Sequence, residues 1–183
     1  MSTPTLEWFE STCQELQTNP TKASKALESF RAEAYALEAC HSWIQTPGCS
    51  PLAQFQLALV IQYSSLRNWS HLSPETVGSL RETLWSLIES AVAQDNMPPY
   101  ALNKVIQIFV LLWKRSWKDA TEQEQTVPFQ HISGFLATAQ TQSSGGVEGV
   151  TMIANLRAFK YGPMILRTFL EEFNSINTTE IAL

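Results

Sequence analysis

The sequence predicts an all-α fold, an α-α superhelix made of about four antiparallel helical hairpins. Two long segments, residues 51–69 and 98–117, are apolar at nearly every helical position. A helix that is apolar on almost all sides must be covered on more than one side, so each segment needs neighbouring helices to pack against. No segment shows the alternating pattern or the turn pairs of a β-hairpin. Helical hairpins stacked on one another satisfy both observations.

Prolines mark where several helices begin. A capping side chain precedes a proline at three places, Asn19 and Pro20, Ser50 and Pro51, and Ser73 and Pro74. Proline at the first helical position loses no hydrogen bond, and Asn or Ser before it can cap the helix. A period of 3.6 residues between these marks predicts helices over 5–17, 20–31, 33–46, 51–69, 74–94, 98–117, 128–141 and 148–173.

Three interruptions of this helical pattern are expected. The last helix should break at Gly162 and Pro163, because a proline inside a helix removes a hydrogen bond and clashes with the preceding turn. The polar and charged segment 118–127 is expected to be an exposed loop. The segment 141–149, which contains paired glycines, is expected to be a flexible connection without the pattern of a phosphate-binding loop.

Composition predicts a folded chain with a substantial core and argues against nucleic acid and membranes as partners. The 183 residues are 44% hydrophobic and 16% charged, and the formal net charge is -5. Surfaces that bind nucleic acid or anionic membranes concentrate Lys and Arg. Residues 1–100 hold ten acidic and five basic residues. This excess fits either a solvated acidic face or a basic partner.

The sequence offers no pattern typical of a metal site, a secretory signal or a membrane span. Cys13, Cys40 and Cys49 are odd in number and lack metal-ligand spacing, so we expect buried or partly buried free thiols in a reducing compartment. The first 20 residues have no apolar run typical of a secretory signal. The longest nearly unbroken apolar stretch, 105–113, is much shorter than the roughly 20 residues that a spanning helix needs.

Catalysis is not predicted either, and neither is a cofactor. The three histidines, His41, His71 and His131, fall on different predicted elements, and no zinc-protease or serine-nucleophile motif occurs. The tryptophans near helix ends and on apolar stripes are expected to fill joints between hairpins rather than to stack on bases or sugars. These are Trp43, Trp69, Trp85 and Trp113.

One strip of polar residues suggests a binding surface. Five residues recur at steps of three and four along the helix 98–117 and so share one side of it, Lys104, Gln107, Leu111, Lys114 and Lys118. The polar interruptions of the helix 51–69 are Gln54, Gln62 and Arg67. Both sets fit either a solvated edge or a surface shared by neighbouring hairpins for a protein partner.

The order of several short motifs resembles the N-terminal region of the importin-β superfamily of nuclear transport receptors. Residues 23–30 match Ala-x-x-x-Leu-x-x-Phe, and residues 54–69 form an Ala- and Leu-rich helix that ends in Trp. Residues 80–88 match Leu-Arg-x-x-Leu-x-x-Leu-Ile. Residues 106–117 are apolar and close on a basic pair and a Trp, and residues 170–175 read LEEFNS. The resemblance covers residues 20–177.

This resemblance implies a solenoid of HEAT repeats with no enzymatic activity. The family's first repeats bind the GTP-bound form of the small GTPase Ran, and the whole receptor carries protein cargo past nuclear pore proteins, shuttling between nucleus and cytoplasm. Family receptors are several times longer, so residues 1–183 are expected to be an N-terminal segment of such a receptor or a truncated form. The expected Ran surface is Gln62, Arg67, Lys104, Gln107 and Lys114.

Two other classes of function remain open from the sequence. The first is a helical-repeat scaffold or adaptor for an unrelated protein partner. The second is a small all-α domain that binds a ligand or catalyses a reaction, which would require a deep apolar pocket with convergent titratable groups.

Overall fold

The fold is all-α, as predicted. The computed structural model describes residues 4–141 and 149–174, with side chains described for residues 4–137 and 160–174. Within these ranges the regular structure is helical and no strand occurs. The helices are α1 Leu6–Glu15, α2 Pro20–Arg31, α3 Ala36–Trp43, α4 Pro51–Arg67, α5 Pro74–Gln94, α6 Pro99–Ser116, α7 Glu122–Thr141 and α8 Gly149–Asn174, with a 3₁₀ turn at Trp69–His71.

The predicted helix starts at the capped prolines are confirmed. The side chain of Asn19 accepts a hydrogen bond from the backbone N–H of Lys22 at 3.3 Å, and Ser50 Oγ accepts one from Ala53 at 3.2 Å. Ser73 Oγ caps α5 in the same way. Each cap satisfies a backbone donor that the first helical turn leaves without an intrahelical partner.

The expected exposed loop at 118–127 is wrong in its second half, because α7 begins at Glu122 and continues through Pro128. Thr121 and Glu124 form a reciprocal cap. Glu124 Oε2 accepts from the backbone N–H of Thr121 at 2.8 Å, and Thr121 Oγ1 accepts from the N–H of Glu124 at 3.3 Å. This capping box starts the helix before the proline, and the polar composition of the segment concealed it.

The expected break at Gly162 and Pro163 is also wrong, because α8 continues through both residues. Pro163 is exposed, and Gly162 is buried against Leu136 of α7. Close packing of this turn against α7 holds the helix together at the point where Pro163 cannot donate a backbone hydrogen bond. The expected flexible connection at 141–149 lies almost entirely outside the described residues.

The chain divides into two compact units. Unit 1 comprises Met1–Thr83 and Pro98–Val105, and unit 2 comprises Leu84–Met97 and Ile106–Leu183. The helices α5 and α6 therefore contribute residues to both units. None of the described helices has a stretch long and apolar enough to cross a bilayer.

An aromatic cluster forms the start of the core of unit 1. Phe9 of α1 and Phe30 of α2 have ring centroids 5.4 Å apart, and the indole of Trp43 stacks on Phe30 at 5.8 Å. Lys22 and Glu15, near the turn between α1 and α2, form an ion pair at 2.8 Å. Because residue 9 meets residue 30 and residue 15 meets residue 22, α1 and α2 are antiparallel.

The hairpin of α7 and α8 in unit 2 is antiparallel as well, since Phe129 contacts Phe169 and Leu136 contacts Gly162. Its second helix runs beside α6 in the same direction. Phe109 contacts Phe169, and Lys114, further along α6, binds Glu172. This parallel order of second helices is the arrangement expected for stacked hairpins.

The first helices of successive hairpins also contact each other. In unit 2, Trp85 of α5 contacts His131 and Phe135 of α7, with centroid distances of 4.9 and 6.0 Å. In unit 1, His41 of α3 forms a hydrogen bond with Thr83 of α5, with 2.7 Å between Nε2 and Oγ1. Stacking of like helix on like helix thus occurs in each unit.

Apolar residues of the motifs at 23–30 and 80–88 lie in the core, whereas Leu170 of the motif at 170–175 is 57% exposed. Ala23 and Phe30 of the first motif are 0% and 3% exposed, and the apolar residues of 80–88 are buried. Trp85 and Trp113 are buried, as predicted, whereas Trp43 and Trp69 are half-buried. The buried residues of 23–30 and 80–88 therefore stabilise the packing between helices.

Candidate functional site

The five residues predicted as a partner surface come from both compact units. Gln62, Arg67 and Lys104 belong to unit 1, whereas Gln107 and Lys114 belong to unit 2. Gln62 and Arg67 are five residues apart, which places them about 140° apart around α4. The partner surface that these residues are expected to form together stays a prediction.

Gln62 and Lys104 lie on the sides by which α4 and α6 approach each other. The rings of Phe55 and Tyr100 are in contact, with centroids 5.5 Å apart. Gln62 follows Phe55 by two turns on the same side of α4, and Lys104 follows Tyr100 by one turn on α6. Both side chains are partly exposed. The pairing of these two residues in one surface remains a prediction.

Arg67 instead belongs to a cluster on the side of α4 that meets α2. Its Nη1 donates a hydrogen bond to the hydroxyl oxygen of Tyr63 at 3.1 Å, and its Cζ lies 5.9 Å from the centre of that ring. Arg31, in the last turn of α2, lies over the same ring at 4.5 Å. Tyr63 is 37% exposed. We call Arg31, Tyr63 and Arg67 the arginine–tyrosine cluster.

Sequence reasoning missed Arg31 and Tyr63. The spacing of Tyr63 and Arg67 by four residues was a signal for their contact, because residues four apart lie on one side of a helix. The position of Arg31 depends on how α2 packs against α4, for which a single helix gives no signal.

A groove between α2 and α4 adjoins the arginine–tyrosine cluster. It has a volume of about 160 Å³, and Arg31 lines it together with Glu28. Its apolar lining comes from Leu16, Leu27, Leu59 and Val60. The groove can hold an apolar side chain beside the charged cluster.

On α6, Gln107 is exposed and Lys114 is only partly so. The ammonium of Lys114 donates to Glu172 Oε2 of α8 at 3.1 Å, and its side chain is 21% exposed. Lys114 therefore stabilises the contact between α6 and α8, whatever further contact it makes with a partner.

A second cavity, of about 510 Å³, lies between α3 and the start of α5, both within unit 1. His41, Glu38 and Glu75 line it beside Leu37 and Leu80. The His41 imidazole forms a hydrogen bond with the Thr83 hydroxyl, and the side chain of Gln45 donates one to the Thr83 backbone carbonyl at 2.9 Å. These bonds join α3 to α5.

The three cysteines are free thiols in unit 1, as predicted. Burial, with the Glu10 carboxylate adding to it, raises the pKa of Cys13 to about 12. The pKa of Cys49 is raised to about 12 by burial and by the same carboxylate. Burial chiefly raises the pKa of Cys40 as well. Protonated thiols are poor nucleophiles and poor metal ligands, and the described residues contain no group of His, Cys, Asp and Glu arranged to hold a metal.

Glu10 also caps α4 from a distance. Its Oε1 accepts the backbone N–H of Ser50 at 2.7 Å, and its Oε2 accepts the Ser50 hydroxyl at 2.7 Å. A carboxylate at the N-terminus of a helix is stabilised by the helix dipole. Glu10 thereby attaches α1 to the start of α4.

Within each unit, second helices of the hairpins pack side by side, through Arg31 and Tyr63 in unit 1 and through Lys114 and Glu172 in unit 2. Comparison with protein-family models, curated proteins and solved structures finds no match to this chain.

Proposed function

We propose that this chain corresponds to the N-terminal HEAT-repeat hairpins of an exportin-like nuclear transport receptor, of the exportin-4 kind and akin to exportin-7. In this role it binds GTP-bound Ran and supports nuclear export of protein cargo. The whole receptor shuttles between nucleus and cytoplasm past nuclear pore proteins.

The observation that carries the proposal is the stacking of like helix on like helix in each unit. The contacts of α2 with α4 through Arg31 and Tyr63, and of α6 with α8 through Lys114 and Glu172, align second helices. Aligned second helices supply a surface that a protein partner can contact along several hairpins. The order of the buried motifs supports the assignment to this superfamily.

Binding by such a surface depends on the nucleotide that Ran holds, because GTP orders the switch loops and GDP releases them. The free energy of that contact is then linked to cargo affinity elsewhere on the receptor. No group of the chain takes part in chemistry in this scheme.

The test is a binding measurement with immobilised chain and purified Ran, loaded either with a non-hydrolysable GTP analogue or with GDP. We expect the chain to bind the GTP form preferentially. The K104E variant should bind it more weakly, because Lys104 is partly exposed on the side of α6 that approaches α4. The matched control is Lys25→Glu, which makes the same charge change at an exposed residue of α2.

Equal binding of both nucleotide forms, or binding of neither, would reject the transport role. The alternative, a helical-repeat scaffold or adaptor for an unrelated protein, would then take its place. Normal GTP-dependent binding by K104E would retain the partner and reject Lys104 as part of its surface.

A further inference from the structure

The arginine–tyrosine cluster brings two positive charges together on one exposed ring. Arg31 and Arg67 come from the last turns of α2 and α4, where the helix dipole favours cations. Both guanidinium groups lie within 6 Å of the Tyr63 ring centre, at 4.5 and 5.9 Å. In the described part of the chain neither arginine forms a salt bridge. Their charges are therefore held in place without being neutralised by a carboxylate.

The tyrosine ring orients the two guanidinium groups. A guanidinium has five N–H donors in a fixed plane, and the hydrogen bond from Arg67 to the Tyr63 hydroxyl uses one of them. A cation within about 6 Å of an aromatic ring centre is attracted to the ring, which favours the positions that the two guanidinium groups hold here. Donors that remain can bind a carboxylate in the two-pronged geometry that Arg favours.

Arg31 connects this charged cluster to the apolar groove between α2 and α4, because it lines both. A space on the order of 150 Å³ accommodates a group as large as benzene, and the groove has about 160 Å³. The leucines in its lining favour an apolar side chain. Glu28 is the carboxylate in that lining, so a ligand's acidic groups would be repelled there and attracted at the arginines.

From these contacts we infer that the arginine–tyrosine cluster and the adjoining groove bind a short acidic segment of a partner protein, with Asp or Glu next to one large apolar side chain. The carboxylates pair with Arg31 and Arg67, and the apolar side chain enters the groove. Charge complementarity selects this occupant, because two guanidinium groups lie within 6 Å of the centre of one exposed ring and neither pairs with a carboxylate in the described part of the chain. The site uses residues of unit 1 alone and does not depend on Ran being a partner.

The experiment is fluorescence anisotropy with a labelled short peptide of Glu and Asp that carries one central Phe. We expect saturable binding that weakens with added salt, since exposed charges are screened. The double variant R31Q and R67Q should lose affinity by about tenfold, because it removes two charge-assisted contacts. The E28Q variant should bind more tightly, since it removes the carboxylate that lines the groove.

Matched controls separate this site from general charge effects. Lys25→Gln removes one positive charge from another side of α2 and should leave the affinity unchanged. A peptide with Ser in place of Phe should bind more weakly, and one with Gln and Asn in place of the acids should not bind. Thermal melts of the variants check that each is folded. Absence of wild-type binding, or equal affinity of the double variant and the wild type, would overturn the inference. An E28Q variant that does not bind more tightly would overturn it as well.

Discussion

A β-carbon on Gly162 would lie 2.5 Å from Cδ2 of Leu136, closer than two non-bonded carbon atoms can approach. The backbone of α8 is therefore in direct contact with a side chain of α7. This contact lies next to Pro163, where α8 lacks a backbone donor.

Gly162→Ala should lower the free energy of unfolding by about 1–3 kcal/mol, because the added methyl forces Leu136 or the helix to move. Urea unfolding followed by circular dichroism measures the change. Gly134→Ala is the matched control, since a β-carbon there meets no atom within 4 Å. It should raise stability by about 0.5–1 kcal/mol through helix propensity. Equal effects of both substitutions would contradict the contact.

Two serines of α4 offer a different test. Ser64 and Ser65 are 3% and 1% exposed, and in the described residues their hydroxyl oxygens have no hydrogen-bond partner. A buried hydroxyl without a partner costs free energy. Ser65→Ala and Ser64→Ala should each raise the free energy of unfolding by about 1 kcal/mol, measured by urea unfolding. A loss of stability would mean that the hydroxyls are hydrogen-bonded in solution.

The ion pair of Lys114 and Glu172 changes how the predicted partner surface should be tested. Lys114→Glu places two carboxylates where the structure has a pair at 3.1 Å, so it should destabilise unit 2 as well as any partner contact. Glu172→Lys in the same chain should restore most of the stability. A double-mutant cycle should give a coupling of about 0.2–1 kcal/mol, as for partly exposed pairs. Zero coupling would show that the pair does not stabilise the contact of α6 with α8.

Because the thiols are buried, we expect the free energy of unfolding to fall at alkaline pH. Because burial raises the pKa of Cys13 to about 12, the folded chain keeps this proton above the ordinary thiol pKa of about 8.5. The thiol's contribution to stability is complete below pH about 8.5 and is lost as the pH rises toward the folded pKa.

Urea unfolding above pH about 8.5 measures this effect. The Cys13 thiol should lower the free energy of unfolding by up to ~1.4 kcal/mol per pH unit. Cys13→Ala should flatten that decrease, whereas its effect at pH 7 reflects packing alone. The same slope in the variant and the wild type would contradict the assignment to Cys13.

Local signals in the sequence predicted most of the helices. The capped starts at Pro20, Pro51 and Pro74 act within one turn, so they could be read directly. The polar segment before Pro128 predicts a loop, whereas the capping box of Thr121 and Glu124 starts α7 within it.

Contacts between helices account for the remaining errors. The continuity of α8 depends on Leu136, and the arginine–tyrosine cluster depends on Arg31, which is distant in sequence from Tyr63. Such pairs depend on the rotation of each helix about its axis, and periodicity within one helix does not determine that rotation between neighbours. The predicted surface that includes both Gln62 and Arg67 depends on such a rotation, because the two residues point to different sides of α4.

The carboxylate of Glu10, which caps α4 through Ser50, has a consequence for the order of folding. A chain is synthesised from its N-terminus at roughly 5–20 residues per second, so α1 leaves the ribosome a few seconds before Ser50 does. Glu10 is thus already available when Ser50 and α4 leave the ribosome. Closing the intervening loop costs only a logarithmic entropy term, and the docking of α4 on α1 can proceed while later hairpins are still being translated.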